Sequence, residues 1–173
     1  MKDNKGFSLI ELIVLMGILA IVIGAGGIGM YGSIQRSKAK NQASDFNSKI
    51  SELYSASMSK AEDYRLVATL DGDTVKYSFQ RNSGSGWTAY NSASSKIKGA
   101  ITASNSSSSY KLVNNSYIVI KYNSVDGAFE EITAYNPSGV ANVEKIQKIK
   151  FDYYGKSAVV NLRFNTGKHS MKG

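Results

Sequence analysis

Lys5-Gly6-Phe7-Ser8-Leu9-Ile10-Glu11-Leu12 decides how the rest of the chain reads. A short basic leader meets a Gly-Phe junction. A long apolar run follows, broken by one carboxylate five residues past the glycine. Hydrophobicity alone does not put Glu11 there. A lone acid in a membrane helix costs up to about 2.5–3.5 kcal/mol at mid-bilayer, and less near the interface. Such a residue usually has a partner and a role.

Outward from this stretch, no side chain from Leu12 to Ile34 is charged. The 25 residues from Phe7 to Tyr31 make about 37 Å of helix at 1.5 Å per residue, enough to cross a bilayer with some tilt. Lys2 and Lys5 precede the run, so the excess of positive charge puts the N-terminus in the cytoplasm and everything after residue 34 outside. Two ordinary readings compete. A cleaved secretory signal would be cut near Gly24-Ala25-Gly26. An apolar signal core rarely holds a glutamate, however, and the run continues past that point. A plain membrane anchor leaves Glu11 unexplained.

The stretch Gly6-Phe7-Ser8-Leu9-Ile10-Glu11 resembles the N-terminus of type IV prepilins, type II secretion pseudopilins and competence pilins. Their pattern is a leader ending in glycine, then Phe-Thr-Leu-(Ile/Val)-Glu and an apolar run; here Ser8 stands where threonine is commoner. The resemblance covers residues 1–60. It implies an α+β, pilin-like fold: a long N-terminal helix, membrane-spanning in its first half, packed against an antiparallel β-sheet. It divides the chain into a leader (1–6), a long helix (7–61, with 7–31 as membrane span and filament core) and a β-rich extracellular domain (62–173).

Many members of that family carry a helix-bending proline where Ile28 stands here. Instead this chain has Gly24, Gly26, Gly27, Gly29 and Gly32. Each glycine in a helix interior costs about 0.8–1.0 kcal/mol relative to alanine. The helix is expected to hold in a bilayer, where unpaired backbone has no water to bond, and to stretch locally in a filament. Close packing of helices through small residues is the alternative.

After Ser33 the pattern turns amphipathic. Phe46, Ile50, Leu53, Tyr54, Ser57, Met58 and Ala61 fall on one helical stripe, with Arg36, Lys38, Lys40 and Lys49 off it. The first proline of the chain is Pro137, so one helix over about 8–60 is expected.

The remainder reads as strands. Residues 66–70 and 74–79 flank Asp71-Gly72-Asp73 as a hairpin. A second hairpin is expected from 111–113 and 117–122 around Asn114-Asn115-Ser116. A further strand runs from Phe129 to Tyr135, stopped by Asn136-Pro137-Ser138-Gly139. The last hairpin joins 149–153 to 158–164 across Gly155-Lys156. Between these, 82–109 is rich in Ser, Gly and Asn. Its spacing of Ala93, Ile97, Ala100 and Ile101 suggests a short helix within 89–103, and 104–109 reads as a flexible polar tract.

The chain of 173 residues carries a formal charge of +8 and no cysteine. Disulfides, thiol catalysis and cysteine-based metal sites are excluded. The charge reads as a solvated basic face, and no nucleic-acid motif predicts a specific nucleic-acid partner. His169 lacks the neighbours of a catalytic triad or a metal site and reads as an incidental exposed residue. Asp71 and Asp73 read as turn formers rather than calcium ligands. Trp87 reads as a core or interface aromatic. No metal, cofactor or enzymatic activity is expected.

The resemblance implies a mechanism as well. A prepilin peptidase would cut between Gly6 and Phe7 and methylate the Phe7 amine. Glu11 of one subunit would then pair with the Phe7 amine of its neighbour, selecting one staggered register. The product would be a helical homo-oligomer, a surface pilus for adhesion, motility or biofilm formation, assembled from an inner-membrane precursor by a cytoplasmic ATPase and a platform protein. The alternatives are a minor pilin or pseudopilin of a secretion or competence system, and a membrane-anchored extracellular binding domain.

Overall fold

The computed structural model describes residues 8–59 and 62–172, the side chains of 25–29 excepted. One helix comes first and antiparallel sheets follow, an α+β order. The chain divides into two compact units, Met1–Gln35 and Arg36–Gly173. The helix α1 runs Leu9–Ser59, 51 residues, and passes without a break through the glycine stretch.

Within the second unit, the outer part of α1 buries one stripe: Ala39, Ala43, Phe46, Ile50, Leu53 and Ser57. The steps alternate four and three residues, which holds a single helix face. Tyr54 and Met58, expected on that stripe, lie at its margin and remain partly exposed; Ala61 lies outside the described residues.

The strands of the first sheet are β1 (Tyr64–Asp71), β2 (Thr74–Asn82), β3 (Trp87–Lys96), β6 (Tyr117–Tyr122), β7 (Phe129–Tyr135) and β8 (Ala141–Val143). Their order is β3-β2-β1-β6-β7-β8. The second sheet contains β4 (Ala100–Ser104), β5 (Ser109–Lys111), β9 (Lys148–Tyr153), β10 (Lys156–Arg163) and β11 (Lys168–Lys172), ordered β11-β10-β9-β4-β5. The single sheet expected from sequence is therefore two. Both contribute alternate residues to one core with the helix stripe: Leu66, Tyr77, Phe79, Ile120 and Tyr122 from the first, Ile149, Phe151 and Val160 from the second. Phe46 joins them, its ring centroid 6.0 Å from that of Tyr77 and 5.6 Å from that of Phe151.

Turn chemistry explains the hairpins. Asp71 pairs with Thr74, so Gly72-Asp73 is a two-residue loop, and Gly72 supplies the positive φ of 60° at its first position. The β9–β10 loop is Tyr154-Gly155, with φ of 48° and 76°, the doubly positive geometry of a tight hairpin.

Two expectations fail. Residues 89–103 form strands β3 and β4 instead of a helix. β3 pairs with β2, with a bulge at Tyr90 that sets its ring edge-on to Tyr64 at 5.3 Å. Nor do residues 111–122 form a hairpin. β5 pairs with β4 in the second sheet and β6 with β1 and β7 in the first. Buried Ser116 accounts for the switch: its hydroxyl accepts from the Val113 N–H and bonds the Tyr110 hydroxyl, which bends the chain from one sheet to the other. The tract 104–109 is an ordered turn, in which the Asn105 carboxamide oxygen accepts from the backbone of Ser107 and Ser108.

Gly167, between the 3₁₀ turn Phe164–Thr166 and β11, has φ of 61°, and an added Cβ would overlap the Gly127 carbonyl oxygen. Gly167→Ala is expected to destabilise the domain by about 2 kcal/mol or more, through left-handed strain plus a backbone shift. Thermal unfolding followed by circular dichroism tests this; an unchanged Tm contradicts it.

Candidate functional site

α1 opens on a reciprocal cap. The Ser8 N–H donates to Glu11 Oε2 at 2.9 Å, and the Ser8 hydroxyl accepts from the Ile10 N–H at 3.4 Å. Ser8-x-x-Glu11 is the spacing of a capping box, which satisfies backbone donors that the first helical turn leaves unpaired. The carboxylate also stands at the positive end of the helix dipole. Glu11 thus has a local role that the sequence signalled through Ser8 and that a reading centred on pairing missed.

Every described large apolar side chain from Leu9 to Ile23 is exposed, and Met30, Tyr31 and Ile34 continue the series. Positions i to i+3 all belong to it, so the helix is apolar on all sides rather than on one stripe. Such a surface far exceeds what a soluble monomer leaves open to water, and it marks an interface with lipid or protein. Among the described residues no helix is long and apolar enough to cross a membrane. The described apolar run stops at Gly24, short of the about 20 residues a bilayer core requires, and the span expected over 7–31 lies partly outside the described residues. A Cβ at Gly24 or Gly32 would meet no heavy atom within 4 Å among the described residues, so no close contact among them requires either glycine. Gly26, Gly27 and Gly29 lie in helical backbone, and their surroundings are outside the described set. Gly6 and Phe7 also lie outside the described residues.

The second unit holds side chains that resemble a site only in part. His169 is not the incidental exposed residue expected. Its Nε2 lies 3.0 Å from the Ser51 hydroxyl and its Nδ1 3.3 Å from the Tyr122 hydroxyl. Ser51 also faces the Asn47 carbonyl, and Tyr122 the Gly167 carbonyl. A neutral imidazole leaves three hydrogens for these four contacts; an imidazolium supplies the fourth. Burial nevertheless opposes the charge and holds the His169 pKa below its usual value, the Gly167 backbone contact opposing this more weakly. Among the described residues no carboxylate orients the ring, so the chain of contacts ties α1 to β6 and β11 rather than activating Ser51.

His169 couples the stability of the second unit to pH. Its pKa is lowered on folding, so its contribution is complete above the unfolded value of about 6.5 and is lost as pH falls through the lower folded value. Tm is expected to decline between about pH 7 and pH 5, and His169→Gln to flatten that part of the profile. A parallel decline in both proteins removes His169 as the cause.

Asp71 pairs with Lys76, and Asp73 accepts from Thr74, in keeping with turn formation. No group of metal-binding residues occurs among the described residues. Trp87 is a surface aromatic at the start of β3, with the Arg65 guanidinium carbon 4.3 Å from its ring centroid. It is half-buried and lies outside the hydrophobic core.

Neither a curated protein nor a solved structure matches the chain. Residues 1–27 match the prokaryotic N-terminal methylation motif. The Gly6-Phe7 junction, the capping box with its acid and the apolar helix all fall inside or directly after that segment. The chain therefore carries at residues 1–27 the signature of the type IV pilin and prepilin family.

Proposed function

We propose that this protein is a structural subunit of a type IV pilus, polymerising through α1 into a surface filament that serves adhesion, motility or biofilm formation. The observation that carries the reading is the helix surface from Leu9 to Ile23, apolar on every side and interrupted only by Glu11 at its start. Before assembly that surface needs lipid. Residues 7–31 would span the membrane, with the leader 1–6 in the cytoplasm and 62–173 outside. In a filament the same surface is covered by the helices of neighbouring copies.

Glu11 then acts twice. In the precursor its carboxylate caps α1 through the Ser8 N–H. Once prepilin peptidase has cut after Gly6 and methylated Phe7, the new cationic amine gives Glu11 of the next subunit a partner. Two charges in an apolar bundle strongly disfavour any register that separates them. The glycines Gly24, Gly26, Gly27 and Gly29 lower the cost of stretching or tightly packing the helix as it leaves lipid. An assembly ATPase and a platform protein would drive the transfer.

Fractionation tests this reading. The mature protein is expected chiefly in sheared surface filaments. Recovery solely in membranes, with the leader intact, would favour an anchored binding domain instead.

A further inference from the structure

The register of the second sheet gathers cations on one face. Ile101, Ala103, Ile149, Phe151, Ala158, Val160 and Leu162 are buried, so the alternate positions of those strands face outward. One row across all five strands reads Lys111, Thr102, Lys150, Val159, Lys172. The next reads Ser109, Ser104, Lys148, Asn161, Ser170, and beyond it Arg163 stands directly opposite Lys168. Lys111, Lys148, Lys150, Arg163, Lys168 and Lys172 are exposed. Of these, only Lys150 has an acidic partner among the described residues, Asp152 at 3.1 Å. A concavity of about 750 Å³, lined in part by Lys145, Lys148 and Arg163, opens on the same face.

A cation directly across from another is destabilising in an antiparallel pair. Arg163 and Lys168 accept that penalty, and folding gains nothing from it. A face so charged, with Asp152 the one acid among the outward positions of these described strands, attracts a polyanion. We propose that this face binds double-stranded DNA through its phosphates, without reading sequence. Three features favour a duplex. The cations form a two-dimensional array, about 19 Å across five strands at about 4.8 Å spacing, which suits the two phosphate strands of a duplex better than one thin flexible polymer. Hydroxyls and an amide from Thr102, Ser104, Asn161 and Ser170 interleave with the charges, the mixture that contacts phosphate and sugar. The outward positions of these five strands carry no aromatic ring, so the stacking that single strands require is missing. Five lysines to one arginine act as point charges rather than bidentate readers of base edges. A stiff duplex also loses little conformational freedom on docking.

The test uses full-length protein in detergent micelles and a short mixed-sequence fluorescent duplex, with anisotropy read between about 50 and 200 mM salt. It needs no filament, so its failure leaves the assembly reading untouched. The triple substitution Lys148→Ala, Lys168→Ala, Lys172→Ala is compared with Lys40→Ala, Lys76→Ala, Lys96→Ala, an equal charge change at exposed positions off this face. The first set is expected to weaken binding about ten-fold or more and to reduce the salt slope by about 0.9 for each lysine that contacts phosphate. The control set is expected to change affinity much less. Lys168→Glu alone should raise Tm while weakening binding, since it relieves the pair with Arg163. Equal losses in both triples, no binding at the lowest salt, or tighter binding of single-stranded DNA, heparin or polyphosphate than of the duplex would overturn the proposal.

Discussion

Glu11→Gln is expected to reduce surface filaments by about ten-fold or more while leaving the Tm of the sheet domain unchanged. Glutamine can still accept the Ser8 N–H, so the capping box survives and the charge alone is removed. A cap is worth about 1 kcal/mol. Leaving one partner of a buried ion pair uncompensated costs about 3–5 kcal/mol, which moves an assembly equilibrium by two orders of magnitude or more. The capping role of Glu11 and its proposed pairing role are therefore separable. If Glu11→Gln assembles normally and only Glu11→Ala fails, the carboxylate serves the helix end and the pairing account is wrong. Counting filaments by electron microscopy, beside an immunoblot for total subunit, gives the answer.

Phe46→Ala is expected to destabilise the second unit by about 3–5 kcal/mol. Phe46 is the helix residue whose ring meets Tyr77 of the first sheet and Phe151 of the second, and it is fully buried. Its removal opens a cavity bounded by three elements, none of which can collapse into it without disturbing its own ladder. The neighbouring contacts add to the effect. Asp45 accepts from the Tyr77 hydroxyl at 3.3 Å and from Ser95 at 2.5 Å, fixing the helix over β2 and β3. Burial, with the Asp45 charge behind it, pushes the Tyr77 pKa upward, so the phenol stays a donor. Chemical denaturation should show a lower midpoint at an unchanged slope. A loss below about 1 kcal/mol would mean that the helix is not the shared wall of the two sheets.

Much of this was legible in the residues. The N-terminal motif was legible through its resemblance to prepilins; the long helix and the Phe46, Ile50, Leu53 and Ser57 part of its buried stripe follow from helical period and the late first proline. The hairpins at Gly72 and Gly155 follow from turn chemistry. The misreadings have physical causes. β3 is an edge strand whose exposed Ser, Ala and Asn positions carry no period of two, and its pairing is dictated by the apolar face of β2. The switch between sheets after Lys111 depends on Ser116, a residue that looks like any loop serine until its partners are known. His169 gained its role from Ser51 and Tyr122, each far away in sequence. The cationic face needed the register of all five strands before scattered lysines became one surface. The capping box was different: Ser8 and Glu11 were in plain view at the required spacing, and only attention to the charge of Glu11 hid its hydrogen bond.

Mass spectrometry of the mature N-terminus, on material sheared from the cell surface, tests the filament account most directly. A chain beginning at N-methylated Phe7 is the predicted result. A chain beginning near Gly26, or an intact Met1, would contradict it, because the cationic amine that Glu11 is proposed to meet would then not exist.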